Sequence, residues 1–207
     1  RAGAARGQPL DRFIGALRGS LSGGGLPLAQ GRCQTPLPID MVACMTDKIP
    51  LLIDTDPGVD DALALLMAFA DERHEVVGLT VAAGNVGLQH TVRNALKLCE
   101  VAGRSDVPVY AGAPAPLVHP AEDAAHVHGV DGFGDVDLPQ AAQSVAAEHA
   151  ALAIIRLSHE HAGKLFLVAL GPLTNVALAL KLDPTLPSRI ARVLVMGGAF
   201  SAHGNIT

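Results

Sequence analysis

Tryptophan is missing from this 207-residue chain, and tyrosine and phenylalanine together supply only six residues. A core with so few aromatics must be filled by Ala, Val and Leu, which suits a compact α/β protein. Cysteine is scarce as well. Cys33, Cys44 and Cys99 form an odd set without CxxC spacing. They argue against a disulfide framework or a cysteine zinc site and point to a reducing, cytoplasmic compartment. No apolar run reaches the length of a membrane span. Basic residues are outnumbered, giving a formal net charge of −5. A nucleic-acid binder would usually show the opposite balance, on a basic face. The GxGxxG fingerprint does not follow the first apolar strand, so no dinucleotide cofactor is expected, and no internal repeat is visible.

What is present concentrates in one stretch, Ile49 to Leu66, IPLLIDTDPGVDDALALL. An apolar run ends in four carboxylates, Asp54, Asp56, Asp60 and Asp61, interrupted by Pro57 and Gly58. Uncharged residues then continue to Ala70. The pattern predicts a buried parallel strand over 49–53, a tight turn, and a helix over 60–70 packed in the interior. Negative charge at Asp60 and Asp61 suits a helix N-terminus. One capping carboxylate would be enough for that. Four at one strand end repel each other unless something positive neutralises them, and a hard cation, Ca²⁺ or Mg²⁺, takes oxygen ligands of this kind. The plainer alternative is a solvated acidic turn, which the apolar flanks disfavour.

The rest of the chain alternates in the same way. Strands are expected over 75–81, 107–110, 164–169 and 192–196. The helix over 88–102 presents Leu88, Val92, Ala95 and Cys99 on one face and turns Arg93, Lys97 and Glu100 away. Cys99 then reads as a core residue. Residues 112–143 are rich in Pro and Gly and read as a long functional loop. On an extended segment there, His126 and His128 would share a face. Ser144 and Thr174 are candidate helix caps. Together these elements give an α/β fold with a doubly wound, mostly parallel open sheet. Ligands bind such sheets outside the carboxyl ends of the strands. That edge gathers Asp54 to Asp61, Asn85, Leu170 and Met196 to Asn205. Residues 1–47 differ from all this. They are rich in Gly, Ala, Pro and Arg without a sustained period. They read as a disordered leader ahead of a natural start near Met45, with a transit peptide as the alternative.

DTDPGVDDALAL, AAGNVG, HVHGVDGFG, ALGPLTN and VLVMGGAF followed by GN resemble, in order and spacing, the inosine-uridine-preferring nucleoside hydrolases. The similarity covers about residues 48–207. It implies hydrolysis of the N-glycosidic bond of ribonucleosides to free base and ribose, with Ca²⁺ as cofactor, a small-molecule nucleoside as substrate, and a homo-oligomer in the full-length form. It implies Asp56 as metal ligand and general base, Asp61 as bidentate metal ligand, and Leu170 as the donor of a backbone carbonyl to the metal. Asp60, Asn85, His128, Met196 and Asn205 fall on substrate-side positions, and Asp54 behind them as an anchor. The chemistry agrees. Ca²⁺ acidifies water less than zinc does, so a carboxylate must take the proton. Anionic oxygens also stabilise a cationic sugar.

The resemblance further implies that 48–207 is the N-terminal portion of the family's domain, with the C-terminal part missing. That part should carry a glutamate and an asparagine that hold the ribose, and a late histidine–aspartate pair. Two other readings compete. A truncated paralogue without activity would fit the absent residues. Asp54-Thr55-Asp56 after an apolar strand also superficially resembles the nucleophile motif of haloacid-dehalogenase-type Mg²⁺ phosphatases, although Pro57 departs from that pattern.

Overall fold

The computed structural model describes residues 48–136, 138–199 and 201. The leader expected over 1–47 lies outside them, as does Asn205.

Five parallel strands form one sheet in the order β3-β2-β1-β4-β5. They are β1 (Ile49–Thr55), β2 (His74–Val81), β3 (Val109–Ala111), β4 (Leu165–Ala169) and β5 (Ile190–Val195). The helices are α1 (Val59–Ala70), α2 (Leu88–Val101), the single turn α3 (Ala125–His128), α4 (Ala150–Glu160) and α5 (Thr174–Leu182), with a 3₁₀ turn at Leu186–Ser188 before β5. The doubly wound α/β class expected from the alternation is the one observed.

β1 lies at the centre and is buried on both faces, as a continuous apolar run requires. Leu51 and Ile53 point into one core layer with Leu65 of α1, Val76 and Leu79 of β2, and Ala95, Leu98 and Cys99 of α2. Leu52 points into the other layer with Ile154 and Leu157 of α4, Leu165 and Leu167 of β4, and Ala179 of α5. The chain winds outward from β1 through β2 to β3, then returns to β4 beside β1 and continues to β5. The order therefore reverses between β1 and β4, and in sheets of this kind ligands bind outside the carboxyl ends at such a switch point.

Several local expectations need correction. α1 is not an interior helix. Only Asp61 and Leu65 are buried, and the row Val59, Leu63, Met67 is exposed, because α1 lies in the outer layer with the sheet on one side only. Lys97 is buried, its ammonium held by Glu100 at 3.1 Å, so the helix face could not be read from charge alone. His126 and His128 sit on the helical turn α3, where positions two apart point in different directions. α4 is capped by His149, which accepts from the Ala151 N–H at 3.1 Å, and begins six residues after Ser144. Thr174 is already inside α5 and does not cap it. Cys99 is a core thiol as expected, pushed up to about 12 by burial.

Candidate active site

β1 and the residue after it bring Asp54, Thr55 and Asp56 to the carboxyl-end edge of the sheet in succession, all buried. Because a strand alternates, Asp54 and its neighbour Thr55 meet different partners. Asp54 Oδ1 accepts from Thr80 Oγ1 of β2 at 2.7 Å and from Asn175 Nδ2 of α5 at 2.9 Å. Asp54 Oδ2 is buried without a hydrogen-bond partner. Thr55 Oγ1 donates to Asp61 Oδ1 at 2.6 Å. Asp61 Oδ2 accepts from the Gly58 N–H at 3.2 Å, so this carboxylate closes the turn and caps α1 in one placement.

Asn85 holds the two inner carboxylates. Its N–H donates to Asp56 Oδ2 at 2.8 Å, and its Nδ2 donates to Asp61 Oδ2 at 3.1 Å and to the Asp56 carbonyl at 3.0 Å. Glycines on either side allow the chain this close. A Cβ at Gly84 would lie 2.1 Å from Asp56 Oδ2, and one at Gly171 would lie 2.3 Å from Asp56 Oδ1. Leu170 follows β4 directly, and its N–H donates to the Asp54 carbonyl at 2.8 Å. β1 and the chain leaving β4 are thus tied together beside Asp56.

The loop after β3 folds against the same turn. The Ala124 N–H donates to the Asn85 carbonyl at 2.8 Å. Asn94 Nδ2 bridges the Pro57 and Asp131 carbonyls at 3.1 and 2.9 Å. The Val59 N–H donates to His128 Nδ1 at 3.3 Å, and that nitrogen lies 3.9 Å from Asp60 Oδ1.

The four aspartates do not converge as a set. Asp56 and Asp61 share Asn85, Asp54 turns back into the core, and the Asp60 side chain is 69% exposed beside His128. Met196 continues the ladder, its N–H donating to the Ala169 carbonyl at 2.9 Å. It lies on the same edge but is separated from β1 by β4, and it is mostly exposed. Sequence reasoning passed over Thr55, Thr80, Asn94, Asn175, Gly84 and Gly171. Thr55, Asn175 and both glycines stood inside the quoted motifs. Thr80 and Asn94 carried no local signal.

Crowding shows in the proton affinities. Burial, and next the charge of Asp61, pushes Asp56 up to about 7. Burial pushes Asp54 up to about 6 against the opposing hydrogen bonds from Asn175 and Thr80. Asp61 is raised too, chiefly by burial. Among the described residues, no group of three or more His, Cys, Asp or Glu is arranged to hold a metal ion. The chemistry of the donors still fits a hard cation. Asp56 and Asp61 offer carboxylate oxygens where their own repulsion asks for positive charge, and the Leu170 carbonyl belongs to the peptide that leads into Gly171, which runs against Asp56. The remaining positions around such a cation would fall to water, substrate or other oxygens.

Fold and site together define an α/β protein with an acidic, oxygen-rich cluster at the switch point of a parallel sheet. Residues 51–207 match the model of the inosine-uridine preferring nucleoside hydrolase family, and the chain belongs to that family. It is 45% identical over 157 residues to uridine nucleosidase 1 of Arabidopsis thaliana, covering 75% of this chain and 47% of that protein. Against the non-specific ribonucleoside hydrolase RihC of Klebsiella pneumoniae the identity is 41%, covering 77% and 52%. Among solved structures, a purine-preferring ribonucleoside hydrolase from Gardnerella vaginalis superposes with a TM-score of 0.72 at 35% identity, covering 74% of this chain and 50% of that one. The chain spans about half the length of the relatives it matches.

Proposed function

We propose that the protein carrying this chain hydrolyses the N-glycosidic bond of ribonucleosides, with Asp56 as the general base toward water. The observation that carries this reading is the pairing of Asp56 with Asp61 through Asn85 at the switch point, in a chain of this family. Asp56 and Asp61, with the Leu170 carbonyl, would hold Ca²⁺. When bound, the ion would supply the positive charge that keeps both carboxylates ionised and gives the ribose hydroxyls a second anchor. Asp56 then takes a proton from the attacking water, as a carboxylate within hydrogen-bond reach of that water can. Asn85 keeps the Asp56 carboxylate oriented while it does so. Asp60, exposed at the mouth, accepts from a ribose hydroxyl. Buried anionic oxygens also favour the positive charge that develops on the sugar.

His128, with Nδ1 already accepting from Val59, holds the loop at the mouth, and Met196 and Asn205 complete the substrate side in the family's pattern. The cytoplasmic reading is supported by sparse cysteines, of which Cys99 is free and buried. Among the described residues no helix is long and apolar enough to cross a membrane. A homo-oligomer belongs to the same reading, and sedimentation velocity tests it.

The deciding experiment is release of free ribose from inosine and uridine in the presence of Ca²⁺. Asp56→Ala should lower turnover by roughly 10²–10⁴-fold, whereas exposed Lys181→Ala should leave it unchanged. No release from inosine, uridine, cytidine or adenosine would sink the proposal. Equal effects of the two substitutions would remove Asp56 from its role.

A further inference from the structure

Asn175 is fully buried at the second position of α5, and both ends of its amide are used. Nδ2 donates to Asp54 Oδ1 at 2.9 Å, and Oδ1 accepts from the Ala113 N–H at 2.8 Å. Ala113 follows β3 and Asp54 ends β1, so one side chain ties the carboxyl ends of two non-adjacent strands to the start of α5. The fit is tight, since a Cβ at Gly112 would lie 2.1 Å from Asn175 Oδ1.

The consequence falls on the segment between β4 and α5. At its front, the Leu170 N–H is bonded to the Asp54 carbonyl at 2.8 Å. At its back, Asn175 is bonded to the Asp54 carboxylate. One aspartate therefore holds Leu170 to Asn175 at both ends. The middle of that segment, Gly171, runs against the Asp56 carboxylate, with room for a hydrogen only. Thr80, on β2, reaches the same Asp54 oxygen at 2.7 Å, and its hydroxyl bonds that carboxylate rather than the segment. The two donors to Asp54 thus do different things. Thr80 steadies the carboxylate, whereas Asn175 uses it to fasten the β4–α5 connection.

We propose that Asn175 is a positioning residue for the cation site: by fastening the β4–α5 connection to Asp54, it keeps the Leu170 carbonyl beside Asp56 as a ligand. The proposal rests on the reading of Asp56, Asp61 and Leu170 as ion-holding groups. Indirect supports of metal ligands commonly change affinity when altered. Here the support acts on a carbonyl, whose side chain cannot compensate.

The probe is Tb³⁺, which takes oxygen ligands like Ca²⁺, and whose luminescence decay in H₂O and D₂O counts coordinated waters. Asn175→Asp keeps the acceptor for Ala113 but turns a second carboxylate oxygen toward Asp54. Its Tb³⁺ affinity should fall by roughly 10–100-fold, and a water should take the place left by the carbonyl. Thr80→Val should change the affinity far less and leave the water count as in the wild type. Circular dichroism establishes that each variant is folded. Should Asn175→Asp not fold, Asn175→Ser, which leaves space for a water, is read the same way. An unchanged water count in a folded Asn175 variant would overturn the proposal, as would an equal loss of affinity in Thr80→Val. In either case the wild type's Tb³⁺ binding still stands for the ion-holding reading. A wild-type chain that binds no Tb³⁺ would overturn both.

Discussion

β1 and β5 are both mainly apolar strands, and they end on the same edge of the sheet. Six of the seven residues of β1 are buried, whereas five of the six in β5 are exposed. Composition does not separate IPLLIDT from IARVLV. Position does, because β1 pairs with both β2 and β4 and has helices over both faces. β5, among the described residues, pairs only with β4. An apolar run thus specifies a strand but not how deeply it lies. The proposed functional groups follow the deep strand: buried carboxylates at the end of β1 have shifted proton affinities, while Met196 at the end of β5 stays in contact with solvent.

The sharpest test of this contrast is a matched truncation. Leu52→Ala removes a side chain with no exposure from the centre of the sheet and should cost about 2–5 kcal/mol. Leu194→Ala on β5 should stay within about 0.5 kcal/mol. Chemical denaturation of both variants measures the difference. Similar losses would mean that β5 is covered in solution.

A smaller effect is expected where the two glycines line the site. Gly171→Ala would put a methyl group 2.3 Å from Asp56 Oδ1 and 3.1 Å from its backbone nitrogen. The backbone must give way, at about 1–3 kcal/mol. Ribose release should suffer more than stability, because Asp56 itself is displaced. A variant with lower stability and unchanged turnover would separate Asp56 from the proposed chemistry.

Much of this arrangement was legible in the chain. Alternation gave the parallel α/β fold, and the strand-end rule placed Asp56, Asp61, Asn85 and Leu170 together. What stayed hidden depended on contacts between distant segments. Asn94 reaches Pro57 and Asp131 across 37 positions, and Asn175 reaches Asp54 across 121. A polar residue on a helix reads as solvent-facing until its partner is known. For α1 the apolar pattern was real, but a helix in an outer layer buries one side whatever the other side carries. His126 and His128 do not share a face because the loop curls into a helical turn there and is not extended.

The acidic cluster also makes a pH prediction, milder than the truncations. Asp54 and Asp56 start from 3.8 in the unfolded chain and rise to about 6 and about 7 when folded. The folded state therefore holds these protons more tightly. Their contribution to stability is complete below about pH 4 and is lost as pH climbs through 6 and 7. The melting temperature of the metal-free protein should fall between pH 5 and pH 8. Asp71 and Asp183 are lowered by hydrogen bonds from Arg73 and Thr185 and titrate below that window. Ca²⁺ at millimolar concentration should offset the loss at pH 8, since an ion bound only by the native state stabilises it by mass action. A melting temperature that rises from pH 5 to pH 8 without metal would contradict the buried carboxylates.

The smallest expected change in stability comes with the largest expected change in behaviour. β5 shows Val193, Leu194 and Val195 about half exposed, in a strand at the end of the sheet order. An apolar strand in that place can pair with another chain, and a charge at its centre is the usual remedy. Leu194 is paired in register with Val168 of β4, and its neighbour two residues back, Arg192, already lies over the Phe166 ring at 5.3 Å to the centroid. A lysine at 194 can extend in the same way, keeping its stem on the sheet and its ammonium in water. Leu194→Lys should therefore leave the denaturation midpoint within about 0.5 kcal/mol of the wild type, while static light scattering shows less association as concentration rises. Leu52→Lys, by contrast, would bury an unpaired charge between β1 and α4 and should prevent folding. If Leu194→Lys unfolds the chain as well, β5 is a buried strand in solution, and the difference drawn between the two ends of the sheet disappears.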